Sequence, residues 1–253
     1  MVPARISAGR FLGFVFLFLA SVMLIAGCSL PWKHAASASA SSSTYTSKPT
    51  TKQLLASLQK NFRTVSSFHV VLQVQNPGPA SQDGVQIRNA SGDVIMPDKV
   101  QAQATVILSG QSVTVKLISI GDNQYITDPI TGQWRVIKGV LDPRTLTNPD
   151  TGILSLVGKL QNMSQPTDDV VNHIPCWRIT GQLDAKYLAF FTGGGVPAGT
   201  MLQMSTCVGK ADSLPYQVGV TGEAAAGDTA QTVRTFILSN YNENITITVP
   251  QVQ

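Results

Sequence analysis

Phe68, Val70, Leu72 and Val74 alternate with His69, Val71, Gln73 and Gln75. That two-residue period fits an extended strand with one face buried and the other wet. The same signature returns at 85–95, 100–108, 112–120, 124–127 and 133–137, with Gly110 and Gly121-Asp122-Asn123 marking turns between runs. It returns again at 176–181, 200–208, 216–221, 232–238 and 244–249, where Ile245, Ile247 and Val249 alternate with Thr246 and Thr248. Connections this short join antiparallel neighbours, and no strand–helix–strand rhythm appears. A helix precedes the strands: Leu54, Leu55, Leu58, Phe62 and Val65 recur at steps of three and four, with Thr50 or Thr51 as its cap. Two more helices are expected between strands. One starts at Asn148-Pro149-Asp150 and carries Ile153, Leu154, Leu156, Val157 and Leu160. The other opens at Asp184, carries Tyr187, Leu188, Phe190 and Phe191, and stops at Gly193-Gly194-Gly195. The fold class is therefore α+β, a long curved antiparallel sheet with a few apolar helices in its hollow.

The first thirty residues have a different origin. Arg5 and Arg10 precede an apolar run from Phe11 to Ile25, which ends in Ile25-Ala26-Gly27-Cys28. The run is short for a permanent membrane span, and its basic start and small-residue exit are those of a cleaved export signal. Leu24-Ile25-Ala26-Gly27-Cys28 resembles the bacterial lipobox, which implies diacylglyceryl transfer to Cys28 and cleavage before it. An ordinary signal peptide with an incidental cysteine is the alternative. Two or three acyl chains would hold the protein firmly on the extracytoplasmic face of a bacterial membrane. The expected organisation is a signal peptide over 1–27, a lipidated cysteine and Ser/Ala-rich linker over 28–50, and one folded domain over 51–253. The run Ala-Ser-Ala-Ser-Ala-Ser-Ser-Ser-Thr-Tyr-Thr-Ser cannot bury a core. Two of the 18 basic residues lie in the leader, so the remainder barely exceeds the 14 acidic ones and leaves no footprint for nucleic acid.

Several local signatures, in order along 51–250, give the chain a family likeness. They are the helix Leu54–Phe62, Gly92-Asp93-Val94 followed by Pro97-Asp98, Gln124-Tyr125 leading to Gly132-Gln133-Trp134, Leu141-Asp142-Pro143 before the Gly152–Leu160 helix, Trp177-Arg178-Ile179-Thr180-Gly181, and the closing 238–250 stretch. With these, the chain resembles the LppX/LprG-type lipoproteins of mycobacteria and related bacteria, similar in fold to the LolA and LolB carriers. The resemblance implies a U-shaped half-barrel around helices, enclosing an apolar cavity for the acyl chains of a lipid or glycolipid carried within the cell envelope. The Cys176/Cys207 pair and the polar, turn-rich stretch 76–91 depart from that pattern.

Cavity-wall candidates are Val70, Leu72, Val106, Leu108, Val115 and Leu117 from strands, with Ile153, Leu154, Val157, Leu160, Leu188 and Phe191 from helices. The same pattern suits the wall of a filled core, so the expectation belongs to the set rather than to any member. With Cys28 committed to the anchor, Cys176 and Cys207 remain as an even pair in an oxidising compartment, and a disulfide between them is feasible; two buried thiols are the alternative. His34, His69 and His173 show no ligand spacing to either cysteine, so no metal is expected. Thr192-Gly193-Gly194-Gly195 lacks the Lys-Ser/Thr of a phosphate loop, Asp168-Asp169 reads as a solvated turn, and no serine sits in a nucleophile elbow. No enzyme and no cofactor are expected beyond a bound lipid. The expected partners are the membrane through the anchor, the lipid or glycolipid, and a membrane transporter, with the protein itself a monomer. Two other readings stay open: an anchored envelope sensor of RseB-like type, and a structural lipoprotein without ligand.

Overall fold

A computed structural model describes residues 47–79, 85–139, 143–148, 152–192 and 195–252; Cys28, the leader and most of the linker lie outside them. Helix α1 (Thr51–Phe62) opens the domain. Thr50 caps it: the Thr50 hydroxyl accepts from Gln53 N at 3.3 Å, and Gln53 Oε1 accepts from Thr50 N at 2.9 Å. This reciprocal box satisfies two otherwise orphaned donors.

Eleven strands then form one sheet. They are β1 (Ser67–Gln75), β2 (Val85–Ile95), β3 (Lys99–Leu108), β4 (Gln111–Ile120), β5 (Asn123–Thr127), β6 (Trp134–Ile137), β7 (Thr167–Val171), β8 (Ile174–Asp184), β9 (Met201–Gly209), β10 (Pro215–Thr221) and β11 (Val233–Ser239). Every neighbouring pair is antiparallel, in the order β6-β5-β4-β3-β2-β1-β11-β10-β9-β8-β7. The two end strands do not meet, so the sheet stays open. Helix α2 (Pro143–Thr147) and two 3-10 helices, Ile153–Lys159 and Ala185–Leu188, fall between strands, and α3 (Ala189–Thr192) extends the second. Among the described residues no helix is long and apolar enough to cross a membrane.

The sheet must curl. Leu54, Leu55, Leu58 and Phe62 of α1 pack in one cluster with Val94 of β2 and Val100 of β3, and also with Trp177 and Ile179 of β8 and Val208 of β9. From β3 to β8 is six strand spacings, about 29 Å at about 4.8 Å each. A helix about 10–12 Å across can touch both only if the sheet wraps around it. Side chains on the α1 side form the inner face. On β8–β10 that face is sealed: Leu183, Leu202 and Val208 are fully buried, and Leu156, Ala185 and Leu188 from the 3-10 helices close over them.

The ends of the strands define two rims. Asn61 Nδ2 donates to Asp212 O at 2.6 Å at the near rim, where Phe62, Phe68, Tyr216 and Tyr241 gather. Burial pushes both tyrosine hydroxyls above their ordinary pKa and keeps them protonated: Tyr216 donates to Asp212 Oδ2 and Tyr241 to Pro215 O. At the far rim the β10–β11 connection is pinned by Asp228, which accepts from the amides of Ala224 and Ala225 at 2.9 and 2.7 Å and from both terminal nitrogens of Arg234 at 2.5 and 2.7 Å. That ion pair is nearly enclosed, with side-chain exposures of 13% for Arg234 and 2% for Asp228.

Three expectations change. The stretch 244–249 is not a strand. Ile245 and Ile247 instead lie on the outer face of β4 and β5, against Ile118 and Tyr125, with Ile95, Ile120 and Trp134 beside them. A segment lying on a sheet's face meets side chains rather than a free edge, so its alternation buries isoleucines without a ladder. The helix expected to start at Asn148-Pro149-Asp150 and run to Leu160 is, over Ile153–Lys159, a 3-10 helix whose cap, Gly152, supplies no side-chain bond, while residues 149–151 of its expected start lie outside the described residues. Asp168 and Asp169 are not a turn but part of edge strand β7, where they engage Lys210 and Arg178.

Cys176 and Cys207 form a disulfide, with their Cα atoms 5.6 Å apart. They are diagonal neighbours on the outer face, since Cys176 opposes Gly209 and Arg178 opposes Cys207. Closing a loop of 31 residues stabilises the fold by about 3–4 kcal/mol in the chain-entropy view. Urea denaturation of a Cys176→Ser/Cys207→Ser variant is expected to show a loss of that size. Leu58→Ala, at 1% exposure under the sheet, is expected to cost about 2–5 kcal/mol. Asp228→Asn is expected to cost about 3 kcal/mol, because Arg234 is left buried and unpaired. Asp168→Asn, on a 75%-exposed carboxylate, should stay within about 1 kcal/mol of the parent.

Candidate functional site

The register of the sheet assigns each strand residue to one face. Val70 and Leu72 of β1 share the α1 side with Phe68. Across the ladder they oppose Gly92 and Ala90, which in turn oppose Ala102 and Ala104 of β3. Val106 and Leu108 follow on β3, and Val113, Val115 and Leu117 face them from β4. Ile126 of β5 opposes Leu117. All six strand residues expected to line a cavity thus stand on the inner face.

Of the helical candidates, Val157 packs beside the α1 cluster, while Leu160 and Leu188 join the cluster over β8–β10. The side chains of Ile153, Leu154 and Phe191 lie outside the described residues.

The inner face is not equally filled along its length. Over β8 and β9 it is dry. Over β3, β4 and β5, away from the near rim, it is apolar yet incompletely covered: Ala102, Ala104, Val113, Val115, Leu117 and Ile126 are only half-buried and Leu108 is 39% exposed, whereas Val100, Ser119 and Gln124 at the near ends are buried. Leu72 on β1 is buried between these two regimes, and Val106 on β3 is buried within the second. The small residues Ala90, Gly92, Ala102 and Ala104 keep this wall low. A Cβ at Gly92 would stand 2.5 Å from Gln101 O and 2.7 Å from the Ala102 Cβ, so the strands there already touch. On the opposite face β3 and β4 expose Gln101, Gln103, Thr114 and Lys116, while toward the near rim Ile118 and Ile120 of β4 and Tyr125 of β5 carry the cluster under the C-terminal tail. Val113, Val115, Leu117 and Ile126 thus form an apolar wall that the described residues leave half-buried.

Two hollows lie away from this wall. One, of about 500 Å³, opens at the near rim between Phe62, Met96, Pro97 and the polar Arg63, Asp98 and Arg144. The other, of about 680 Å³, is a polar groove on the outer face, floored by Gln73, Ser91, Gln103 and Thr105. Beside it stands an arrangement that sequence reading missed. Ser91 Oγ lies 3.1 Å from His69 Nε2, and His69 Nδ1 lies 2.6 Å from Asp93 Oδ1. The residues are two apart on β2 and opposite on β1, and only the pairing of His69 with Asp93 across the strands reveals them. The connectivity is that of a serine nucleophile and its base. Ser91 sits in a strand laddered on both sides, however, so its neighbouring amides are committed to the sheet and cannot form a backbone oxyanion hole. Among the described residues no group of three or more His, Cys, Asp or Glu is arranged to hold a metal ion.

Comparison with known proteins adds the following. The model of the LppX_LprAFG lipoprotein family matches residues 50–250. The lipoarabinomannan carrier protein LprG of Mycobacterium tuberculosis is 23% identical over 142 residues, covering 54% of this chain and 58% of that protein. The crystal structure of LprF from Mycobacterium bovis superposes with a TM-score of 0.60 at 19% identity, over 79% of this chain and 96% of that one. LppX from Mycobacterium tuberculosis gives a TM-score of 0.56 at 16% identity, over 78% and 99%. Those two likenesses are of fold, and with the family model matching residues 50–250 the conclusion is that this chain belongs to the LppX_LprAFG lipoprotein family.

Proposed function

We propose that the protein is a membrane-anchored carrier that shelters the acyl chains of a lipid or glycolipid against the inner wall of β3–β5. The observation that carries this reading is the half-buried apolar wall itself. A chain gains by burying such residues, and on β8 and β9 it has done so completely. Leaving Val113, Val115 and Leu117 incompletely covered has a cost, unless something apolar completes the cover. Each methylene moved from water onto such a wall is worth about 0.8 kcal/mol, so a sixteen-carbon chain represents about 13 kcal/mol. A relative being named a lipoarabinomannan carrier supports the same substrate class, a lipid-linked glycan. An acylated Cys28 at the end of a polar linker would keep the carrier beside the bilayer that supplies its cargo.

The chemistry is solvation and needs no bond to break. The protein would offer hydrocarbon an environment comparable with the bilayer, and exchange would follow the difference between the two. Purified protein extracted with organic solvent is expected to yield lipid by mass spectrometry. Ala104→Trp, projecting between Ala90 and Val115, is expected to cut the bound lipid at least about tenfold by filling the wall's recess, with the unfolding transition retained. Gln103→Trp, one residue along on the outer face, should leave the lipid content unchanged. Equal lipid in both variants, or none in the parent, would rule the reading out.

A further inference from the structure

The polar groove on the outer face is floored by two rows of side chains that run across β1, β2 and β3. In one row Gln73 opposes Asn89 and Asn89 opposes Thr105; in the other Val71 opposes Ser91 and Ser91 opposes Gln103. Neighbouring strands lie about 4.8 Å apart, so each row is about 10 Å long. Gln75 and Arg88 complete the polar lining. Arg88 reaches the groove through an irregularity in β2. Ile87 opposes Val106 and Asn89 opposes Thr105, so Arg88 is an extra residue, and the bulge brings it to the same side as Asn89.

The hydrogen-bonding capacity of this groove is unspent. The side chains of Gln73, Gln75, Arg88, Asn89, Gln103 and Thr105 make no bond to another described residue. On the same face of β8 and β10, by contrast, Arg178 is tied to both Asp169 and Gln217. Ser91 is held in a particular way. A carboxylate accepts and does not donate, so His69 Nδ1 is the donor to Asp93 Oδ1 at 2.6 Å. Nε2 of the neutral ring then accepts from Ser91 Oγ at 3.1 Å. With its proton committed to His69, Ser91 Oγ offers the groove lone pairs alone. Free amides, one guanidinium and an acceptor of preset polarity thus converge on one hollow.

Those groups select a class of ligand. Among the described lining residues Arg88 alone is charged, whereas a polyanion is held by many cations. Strands β1, β2 and β3 are each paired on both sides, so a peptide strand finds no edge to join. The apolar members Val71, Val74 and Ala90 are half-buried, which leaves a bilayer or an apolar partner little to cover. A sugar hydroxyl both donates and accepts, and a side-chain amide does the same within one group. A neutral, hydroxyl-rich chain therefore matches what the two rows present. The volume of about 680 Å³ falls within the ~300–1,000 Å³ of small-ligand sites.

We propose that this groove is a binding site for a neutral glycan segment, with Arg88, Asn89 and Gln103 bonding its hydroxyls and Ser91 accepting from one of them. The site lies on the outer face, apart from the inner wall, and needs no acyl chain, so it stands or falls separately from the carrier reading. The purified full chain is expected to bind neutral oligosaccharides on an array that displays hexose and pentose oligomers beside polyanionic glycans and peptides. Asn89→Ala/Gln103→Ala is expected to weaken that binding at least about tenfold, and Ser91→Ala about threefold, with the unfolding transition retained. Gln203→Ala removes the same residue type from the same face of β9, outside the groove, and should bind as the parent does. An array on which no neutral glycan is bound, or only anionic glycans or peptides are, overturns the proposal. Binding that the double variant keeps, or that Gln203→Ala loses, overturns it as well. A parent without extractable lipid overturns the carrier reading alone and leaves the glycan result to stand by itself.

Discussion

Everything in this architecture follows from one helix having to touch two distant parts of one sheet. Leu54, Leu55, Leu58 and Phe62 are the apolar stripe of α1, and burying them requires partners on both sides of the helix. The strands that supply those partners are not neighbours in the sheet's order, so the sheet has to bend until they are. Once bent, it has an inside and an outside, and the period-two pattern of each strand sorts side chains between them. The helix is too narrow to fill what it has curled. The short 3-10 helices complete the filling over β8–β10, and the opposite wall is left with apolar residues that nothing in the described chain fully covers.

The open edges are managed in the same economical way. At one edge β6 is four residues long and carries Arg135; at the other β7 carries Asp168 and Asp169. Charges and short length discourage a second sheet from adding to either side. Arg178 on the outer face of β8 ties the acidic edge inward through Asp169, with Gln217 of β10 as its second partner at 2.9 Å. The disulfide, also on the outer face, staples β8 to β9 directly beside it. None of these devices occupies the interior.

Much of this was legible in the amino-acid order because alternation is a direct consequence of backbone geometry. Ten strands stand where the two-residue period placed them, and α1 stands where its three- and four-residue steps did. What escaped did so for physical reasons. Strand β7 has two adjacent aspartates, poor strand formers, and is held by cations that arrive from β8 and from Lys210. The tail at 244–249 has a strand's pattern, but a pattern specifies which side chains are buried and not whether a ladder partner exists. The helix expected from Asn148-Pro149-Asp150 onward is capped instead at Gly152, which has no side chain to offer, and over Ile153–Lys159 it winds as the tighter 3-10 form. The cavity candidates share a face because parity fixes faces; how far each is covered depends on what lies opposite in three dimensions, which no local pattern encodes. The juxtaposition of Ser91, His69 and Asp93 was invisible for the same reason.

The C-terminal tail gives the half-covered wall its character. Strands β4 and β5 bury Ser119 and Gln124 within but leave Val113, Val115 and Leu117 half-buried, while Ile245 and Ile247 press on Ile118 and Tyr125 from without. The near half of the wall is therefore splinted on its convex side as well as packed on its concave one. A lining braced from behind would keep its strands in place whether or not anything lies against it, much as a mould outlasts each casting.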